Sequence, residues 1–204
     1  MSESYSETDG TMSYYEQNAL VYAERTRGVR LDALWKAFSG LLWPGAYVLD
    51  LGCGAGRDLK ELSSRGFRVV GVDYSAPLAA IAREYSGQDV VVMDIRRLDF
   101  DPDVFDGIWA VASLLHVARG EVLSVLADLH RILRPAGILL TSMQRGEGQE
   151  ISEDSRCFEL YTREKWEIFL RAGGFEVDQV QETVVKSPTR RSEVSWFVTI
   201  GRKR

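Results

Sequence analysis

Residues 46–57 read Ala-Tyr-Val-Leu-Asp-Leu-Gly-Cys-Gly-Ala-Gly-Arg: an apolar run, three glycines at alternate positions, then a helix-forming stretch. A short run that is apolar on both sides suits a strand buried in a parallel sheet. The glycines let the chain turn tightly and let a ligand approach the backbone without meeting Cβ atoms. The helix that follows aims its free N–H groups at whatever negative group the ligand carries. Open parallel sheets bind ligands at the carboxyl ends of their strands, so this loop is the first candidate for a site.

The rest of the chain alternates accordingly. Residues 67–72, 89–93, 105–111 and 138–143 are further branched or aromatic runs. Between them lie helical stretches: 58–65 closing at Gly66, a segment capped by Ser75 with Pro77 in its first turn, and 121–133 with Val122, Val125, Leu126 and Leu129 on one face. Arg134-Pro135-Ala136-Gly137 ends the last of these. Thr162 caps a helix through Trp166, Phe169 and Leu170 that stops at Gly173-Gly174, and two longer strands then pair as a hairpin. In the final one, Val194, Trp196, Val198 and Ile200 alternate with Ser195, Phe197 and Thr199, the period of an antiparallel strand covered on one face. The pattern predicts a three-layer α/β sandwich, mostly parallel with one antiparallel strand, as a single domain over 14–204. Residues 1–13 read as a flexible polar tail, and 14–43 as two amphipathic helices bent near Gly28 and stopped by Pro44-Gly45.

With 204 residues, 45% hydrophobic and 27% charged, the chain needs no staples to form a core. Its two cysteines, Cys53 and Cys157, make neither a disulfide framework nor a metal site, so no metal is expected. A net charge of −5 argues against a sequence-independent nucleic-acid binder. No apolar run approaches the ~20 residues of a membrane span, and no secretory signal is evident, so a cytoplasmic protein with a small-molecule partner is expected.

The loop and two later acids describe that partner. A dinucleotide fingerprint places its third glycine where Arg57 stands; here it is Gly56, one residue earlier. Asp50 ends the first strand, where it favours a ligand with a positive centre and repels a pyrophosphate. Asp73, closing Val69-Val70-Gly71-Val72-Asp73-Tyr74, can accept both hydroxyls of a ribose, a feature dinucleotide binders share. In Met93-Asp94-Ile95 the carboxylate can accept from an adenine amino group while Met93 and Ile95 lie against the ring. Together they outline a pocket for an adenosine bearing a charged amino-acid tail.

Residues 47–143 resemble a class I S-adenosylmethionine-dependent methyltransferase. The resemblance implies a seven-stranded Rossmann-like methyltransferase fold, with S-adenosyl-L-methionine as cofactor and S-adenosyl-L-homocysteine as product. It places Asp50, Gly52, Gly54 and Gly56 near the methionine part, Asp73 on the ribose and Asp94 at the adenine, and implies Cys53, Tyr74, Met93 and Ile95 among the cofactor-binding residues. Phe105-Asp106-Gly107-Ile108-Trp109-Ala110 resembles the fourth-strand motif, which implies Ala110 and Leu115 beside the cofactor. Leu133-Arg134-Pro135-Ala136-Gly137 resembles the turn into the fifth strand, with Ala136 where a second glycine is usual. Tyr14-Tyr15-Glu16, Ala19 and Tyr22-Ala23 are similar to the lid helix of small-molecule methyltransferases, including tellurite-resistance and thiol-methylating relatives. That likeness implies Tyr14 and Tyr22 over the cofactor and Arg25 at its carboxylate or at an acidic acceptor; the alternative is a plain buried aromatic stripe.

Methyl transfer from a sulfonium asks the protein mainly to hold the acceptor within attack distance. A base helps only if the acceptor arrives protonated. His116, in Ser113-Leu114-Leu115-His116-Val117, is the catalytic candidate and matches the second histidine of a Leu-His-His pattern in many relatives; a histidine bracing its loop is the other reading. His130 reads as structural or exposed, Asp106 as a strand-end brace, and Arg57 as a helix-surface residue. Arg145-Gly146-Glu147-Gly148 is an exposed loop on the acceptor side. There is no Asn/Asp-Pro-Pro-Tyr/Phe segment and no Pro-Cys pair of the kinds that serve DNA methylation. The expected function is methyl transfer to an O, N or S atom of a small molecule, by a monomer or homodimer. The alternatives are a noncatalytic S-adenosylmethionine-binding sensor or partner subunit and a nicotinamide-dependent oxidoreductase; the glycine spacing and Asp50 oppose the latter.

Overall fold

The computed structural model describes residues 7–186 and 193–204. After the helices α1 (Glu7–Gln17), α2 (Ala19–Thr26) and α3 (Asp32–Ser39), the chain alternates: β1 (Tyr47–Leu51), α4 (Arg57–Ser64), β2 (Arg68–Asp73), α5 (Ala76–Ser86), β3 (Asp89–Val92) and β4 (Phe105–Val111). It continues with α6 (Val122–Ile132), β5 (Leu133–Gln144), β6 (Gly148–Ile151), β7 (Cys157–Leu160), α7 (Arg163–Ala172), β8 (Phe175–Lys186) and β9 (Glu193–Lys203).

Seven strands form one sheet in the order β3-β2-β1-β4-β5-β9-β8, and β9 runs antiparallel to both of its neighbours. Strand order reverses at β1, which pairs with β2 on one side and β4 on the other, so the glycine loop sits at the switch point. Apolar residues from the two faces of the sheet fall into two clusters. One packs Leu49, Ile108 and Phe197 against α6 and α7; the other packs Val48, Trp109 and Val198 against α3, α4 and α5. The caps are local and legible: Ser75 Oγ accepts from Leu78 N, and Thr162 Oγ1 from Lys165 N.

Four features differ from the sequence reading. Residues 7–13 are helical, not part of a tail, because Thr11 Oγ1 accepts the Cys157 backbone N–H at 2.8 Å and ties α1 to β7; residues 1–6 lie outside the described residues. The segment 14–43 contains parts of three helices, with a break at Asn18, whose side-chain amide donates to the Tyr14 carbonyl, and another beyond α2 near Gly28. The last strand is covered on both faces: lying between β5 and β8, it buries Phe197 in one cluster and Val198 and Ile200 in the other, with Thr199 fully enclosed. A separate hairpin, β6 with β7, follows the Arg145-Gly146 corner that was read as an exposed loop.

Candidate active site

β1 delivers Gly52 with φ +70 at the carboxyl edge of the sheet, and a Cβ there would stand 2.6 Å from the Ser113 Cβ. Any side chain would push the loop off the β4 corner. The backbone N–H groups of Gly52 and Cys53 both donate to the Val72 carbonyl. Gly54, φ +53, lies beneath Tyr22; a Cβ there would reach the Tyr22 ring at 3.4 Å, so only glycine keeps open the space between ring and loop.

At the end of β2, Asp73 Oδ2 accepts from Gly54 N at 2.8 Å and Oδ1 accepts from Ser75 N at 2.9 Å. Burial pushes its carboxyl up to about 6 against the pull of these two N–H groups. Each oxygen still has a lone pair for a hydroxyl donor. A cleft opens here, lined by Gly52, Gly54, Asp73, Tyr74, Asp94 and Ile95 and covered by Met12, Tyr15 and Tyr22. Asp94 is already held by Arg96, with Nη2 at 2.7 Å from Oδ2; burial would raise its carboxyl, but the Arg96 hydrogen bonds win and hold it low.

A second cavity meets the first at Tyr15, Tyr22, Gly52, Gly54, Ala112 and His116. Its apolar walls come from Leu31 and Leu34 at the start of α3, Leu115, Phe158 and Val198. Its polar wall comes from Arg57, Ser142, Gln144 and Arg156.

His116 stands at the junction. A carbonyl oxygen only accepts, so Nδ1, 2.7 Å from the Cys157 oxygen, carries the proton, and Nε2, 3.0 Å from the Tyr15 hydroxyl, accepts. Tyr15 in turn takes a hydrogen bond from Arg156, and burial pushes its hydroxyl far up. The geometry matches the bracing reading of His116: it locks α1 to β7 across the site.

The structure therefore brings together Tyr22, Gly52, Gly54, Asp73, Tyr74, Asp94, Ile95 and His116 in the first cleft, with Cys53 and Leu115 in the second. Other expected residues stand back from both cavities. Arg25 is exposed on α2, because the helix turns that position to solvent. Tyr14 lies one residue off the lining phase, edge-on to Tyr15 and 4.3 Å from the Arg156 guanidinium. Gly56 packs on α5, where a Cβ would come within 2.9 Å of Ala82. Met93 packs against the α6–α7 core cluster, and Ala110 is fully enclosed within it. Asp50 is buried with its Oδ2 unbonded among the described residues; burial, then the charge of Asp58, raises its carboxyl well above the ordinary value.

Several lining residues were not expected. Tyr15 sits seven positions before Tyr22, and their rings meet edge to face at 5.2 Å. Arg57 turns inward, correcting its surface reading, because it chelates Asp58 with Nε and Nη2 at 3.0 and 2.7 Å. Asp58 also accepts the indole N–H of Trp35 at 2.9 Å and of Trp109 at 3.0 Å, four donors in all. Gln144 and Arg156 also line the second cavity, and no local pattern marks them. Asp106 is a brace as expected, accepting from Tyr47 N and from Arg134 Nη1 at the far end of the strands.

A reversal of strand order over a glycine loop, an acid closing β2 and two joined cavities define a Rossmann-like fold with a candidate nucleoside site at its switch point. Residues 49–141 match the family described as a methyltransferase domain. Over this segment the chain is similar to class I S-adenosylmethionine-dependent methyltransferases. It is 31% identical over 143 residues to the malonyl-[acyl-carrier protein] O-methyltransferase of Salmonella typhimurium, covering 69% of this chain and 53% of that one. It is 36% identical over 98 residues to the probable tRNA methyltransferase 9B of Mus musculus, covering 48% of this chain and 21% of that one. The chain thus spans about half or less of the length of these curated relatives. Its fold is that of the 1,6-didemethyltoxoflavin-N1-methyltransferase of Burkholderia thailandensis, at a TM-score of 0.75 and 23% identity over 96% of this chain and 86% of that one. Among the described residues no cluster of three or more potential metal ligands occurs, and no helix is long and apolar enough to cross a membrane.

Proposed function

We propose that this chain transfers a methyl group from S-adenosyl-L-methionine to an O, N or S atom of a small molecule. The observation that carries this reading is the pair of cavities meeting at Gly52 and Gly54: one has a nucleoside's complement of groups, the other an apolar wall with a few polar side chains. The cofactor fits the residues present. The gap between Gly54 and the Tyr22 ring is one a Cβ would fill, and Asp73 has lone pairs left for ribose hydroxyls. Gly52, Gly54, Asp73, Tyr74 and Ile95 hold the adenosine end, and Arg57 takes the carboxylate role that the sequence suggested for Arg25. When bound, the cofactor supplies an electrophilic methyl: the acceptor's lone pair forms the new bond as the carbon–sulfur bond breaks and its electrons return to sulfur.

The chain's own groups position and exclude. Tyr15 and Tyr22 close the roof of the junction and keep water from it. His116 acts as a positioning residue, setting the Tyr15 ring through its hydroxyl. A small acceptor is favoured over a nucleic-acid one because the second cavity is walled by α3, Phe158 and β9.

Calorimetric titration with S-adenosylhomocysteine, with reduced nicotinamide dinucleotide in parallel, tests the reading. Saturable binding of the first alone is expected. Binding of the second alone, or of neither, overturns it; tight binding without turnover on any acceptor favours a sensor.

A further inference from the structure

The polar groups of the second cavity are unequal in sign. Its one wall carboxylate, Asp58, is saturated by Arg57 and two indoles. Arg156 is only 2% exposed and lines the cavity; Asp154 chelates its Nε and Nη2 at 2.9 and 2.7 Å from outside the wall, so the pair turns its positive end toward the cavity. The Arg156 guanidinium is clamped between rings, 4.3 Å from the centre of Tyr14 and 5.4 Å from that of Phe158, so its charge is fixed in place.

Beside it, β5 and β9 present a polar corner. Gln144 stands opposite Trp196 in the ladder and Ser142 opposite Val198. Gln144 is 4% exposed and lines the cavity, and its side-chain amide makes no hydrogen bond among the described residues. Ser142 Oγ accepts from Ala112 N, which leaves its own O–H to donate. A buried amide facing a cavity without a partner points to a ligand group that completes it. The apolar part of the wall, including Leu31, Leu34, Leu115 and Val198, takes hydrocarbon.

We propose that the acceptor is an organic anion: an apolar body bearing a carboxylate or phenolate that lies toward Arg156 and Gln144. A cationic amine meets a buried guanidinium here and no unsaturated carboxylate, and a neutral analogue forgoes the charge. This narrows the acceptor class and rests on the methyl-transfer reading.

The test is calorimetric titration of the protein saturated with S-adenosylhomocysteine, using octanoate, 4-nitrophenolate, octanamide and octylamine as probes. At least one anion is expected to bind tenfold or more tighter than octanamide or octylamine, and which anion binds decides between carboxylate and phenolate. Arg156→Gln should lose that tenfold preference, Arg156→Lys should keep part of it, and Gln144→Leu should weaken anion binding severalfold with the charge untouched. Arg156 also braces Tyr14 and Tyr15, so each variant is first titrated with S-adenosylhomocysteine; if Arg156→Gln fails that check, Arg156→Lys and Gln144→Leu decide. Equal binding of the probes, tighter binding of the amine, or binding of none overturns the proposal. Loss of S-adenosylhomocysteine binding by the unaltered protein would instead overturn the cofactor reading on which it rests.

Discussion

The hydroxyl of Tyr15 lies 3.0 Å from Nε2 of His116, joining the first helix to the corner after β4. The imidazole passes the connection on to the Cys157 carbonyl, so three distant segments share one hydrogen-bonded path. Tyr15→Phe keeps the ring and removes the bond, at a cost of about 1 kcal/mol, or roughly fivefold in S-adenosylhomocysteine affinity. His116→Ala additionally leaves the Cys157 oxygen without its imidazole partner, so it should lower Tm more than Tyr15→Phe does. Titration and thermal unfolding of both variants check the order; equal Tm values would remove the bracing role.

Asp73 gives the site a pH dependence. Its carboxyl, pushed up to about 6 from an unfolded value of 3.8, binds a proton in the folded state before the unfolded chain does. Folding therefore gains stability from this group below about 3.8 and loses it as pH rises through about 6. Ligand binding runs the other way, because ribose hydroxyls need the ionised acceptor. S-adenosylhomocysteine affinity is expected to fall as pH drops below about 6, and Asp73→Asn should lower it roughly 10- to 100-fold and flatten the pH profile. Titrations at pH 5, 6 and 8 measure both.

Asp58 accepts four N–H donors from three segments, so its charge matters more to folding than to binding. Asp58→Asn leaves Arg57 without its counterion and sets an amide N–H against one of the donors. A loss of about 3–5 kcal/mol, or roughly 10 °C in Tm, is expected. The emission of Trp35 and Trp109 should shift with it, and a change of a degree or two would show the cluster to be incidental.

Gly52 and Gly54 separate strain from occupancy. Both have positive φ, which costs an alanine about 1–2 kcal/mol, but only at Gly52 does the new methyl run into another segment, at Ser113. Gly52→Ala should lower Tm more than Gly54→Ala. Gly54→Ala should lose affinity out of proportion to its Tm, since its methyl takes up ligand space under Tyr22.

What the sequence made visible was local. Ser75, Thr162 and the glycine loop act through neighbours a few residues away, so their roles can be read from spacing. The inward turn of Arg57 depends on Asp58 also meeting Trp35 and Trp109, 23 and 51 residues distant, and no local pattern encodes that. Choosing Tyr15 over Tyr14 needed the phase of α1, which Thr11 fixes by bonding to Cys157. The covering of β9 on both faces was hidden by Ser195 and Thr199, polar residues that read as outward-facing until β8 and β5 enclose the strand.

The position of β9 also sets an order of events. The first cleft is lined wholly by residues from Thr11 to Val117, whereas the second has no complete wall until Trp196 and Val198 are in place. During synthesis the residues lining the first cleft all precede those of β9, and β5 keeps an unpaired edge until β9 is made. A ribosome-bound chain stalled before residue 193 has every lining residue of the first cleft and an unfinished second cavity, so the chamber proposed for the acceptor is the last part of the site to be closed.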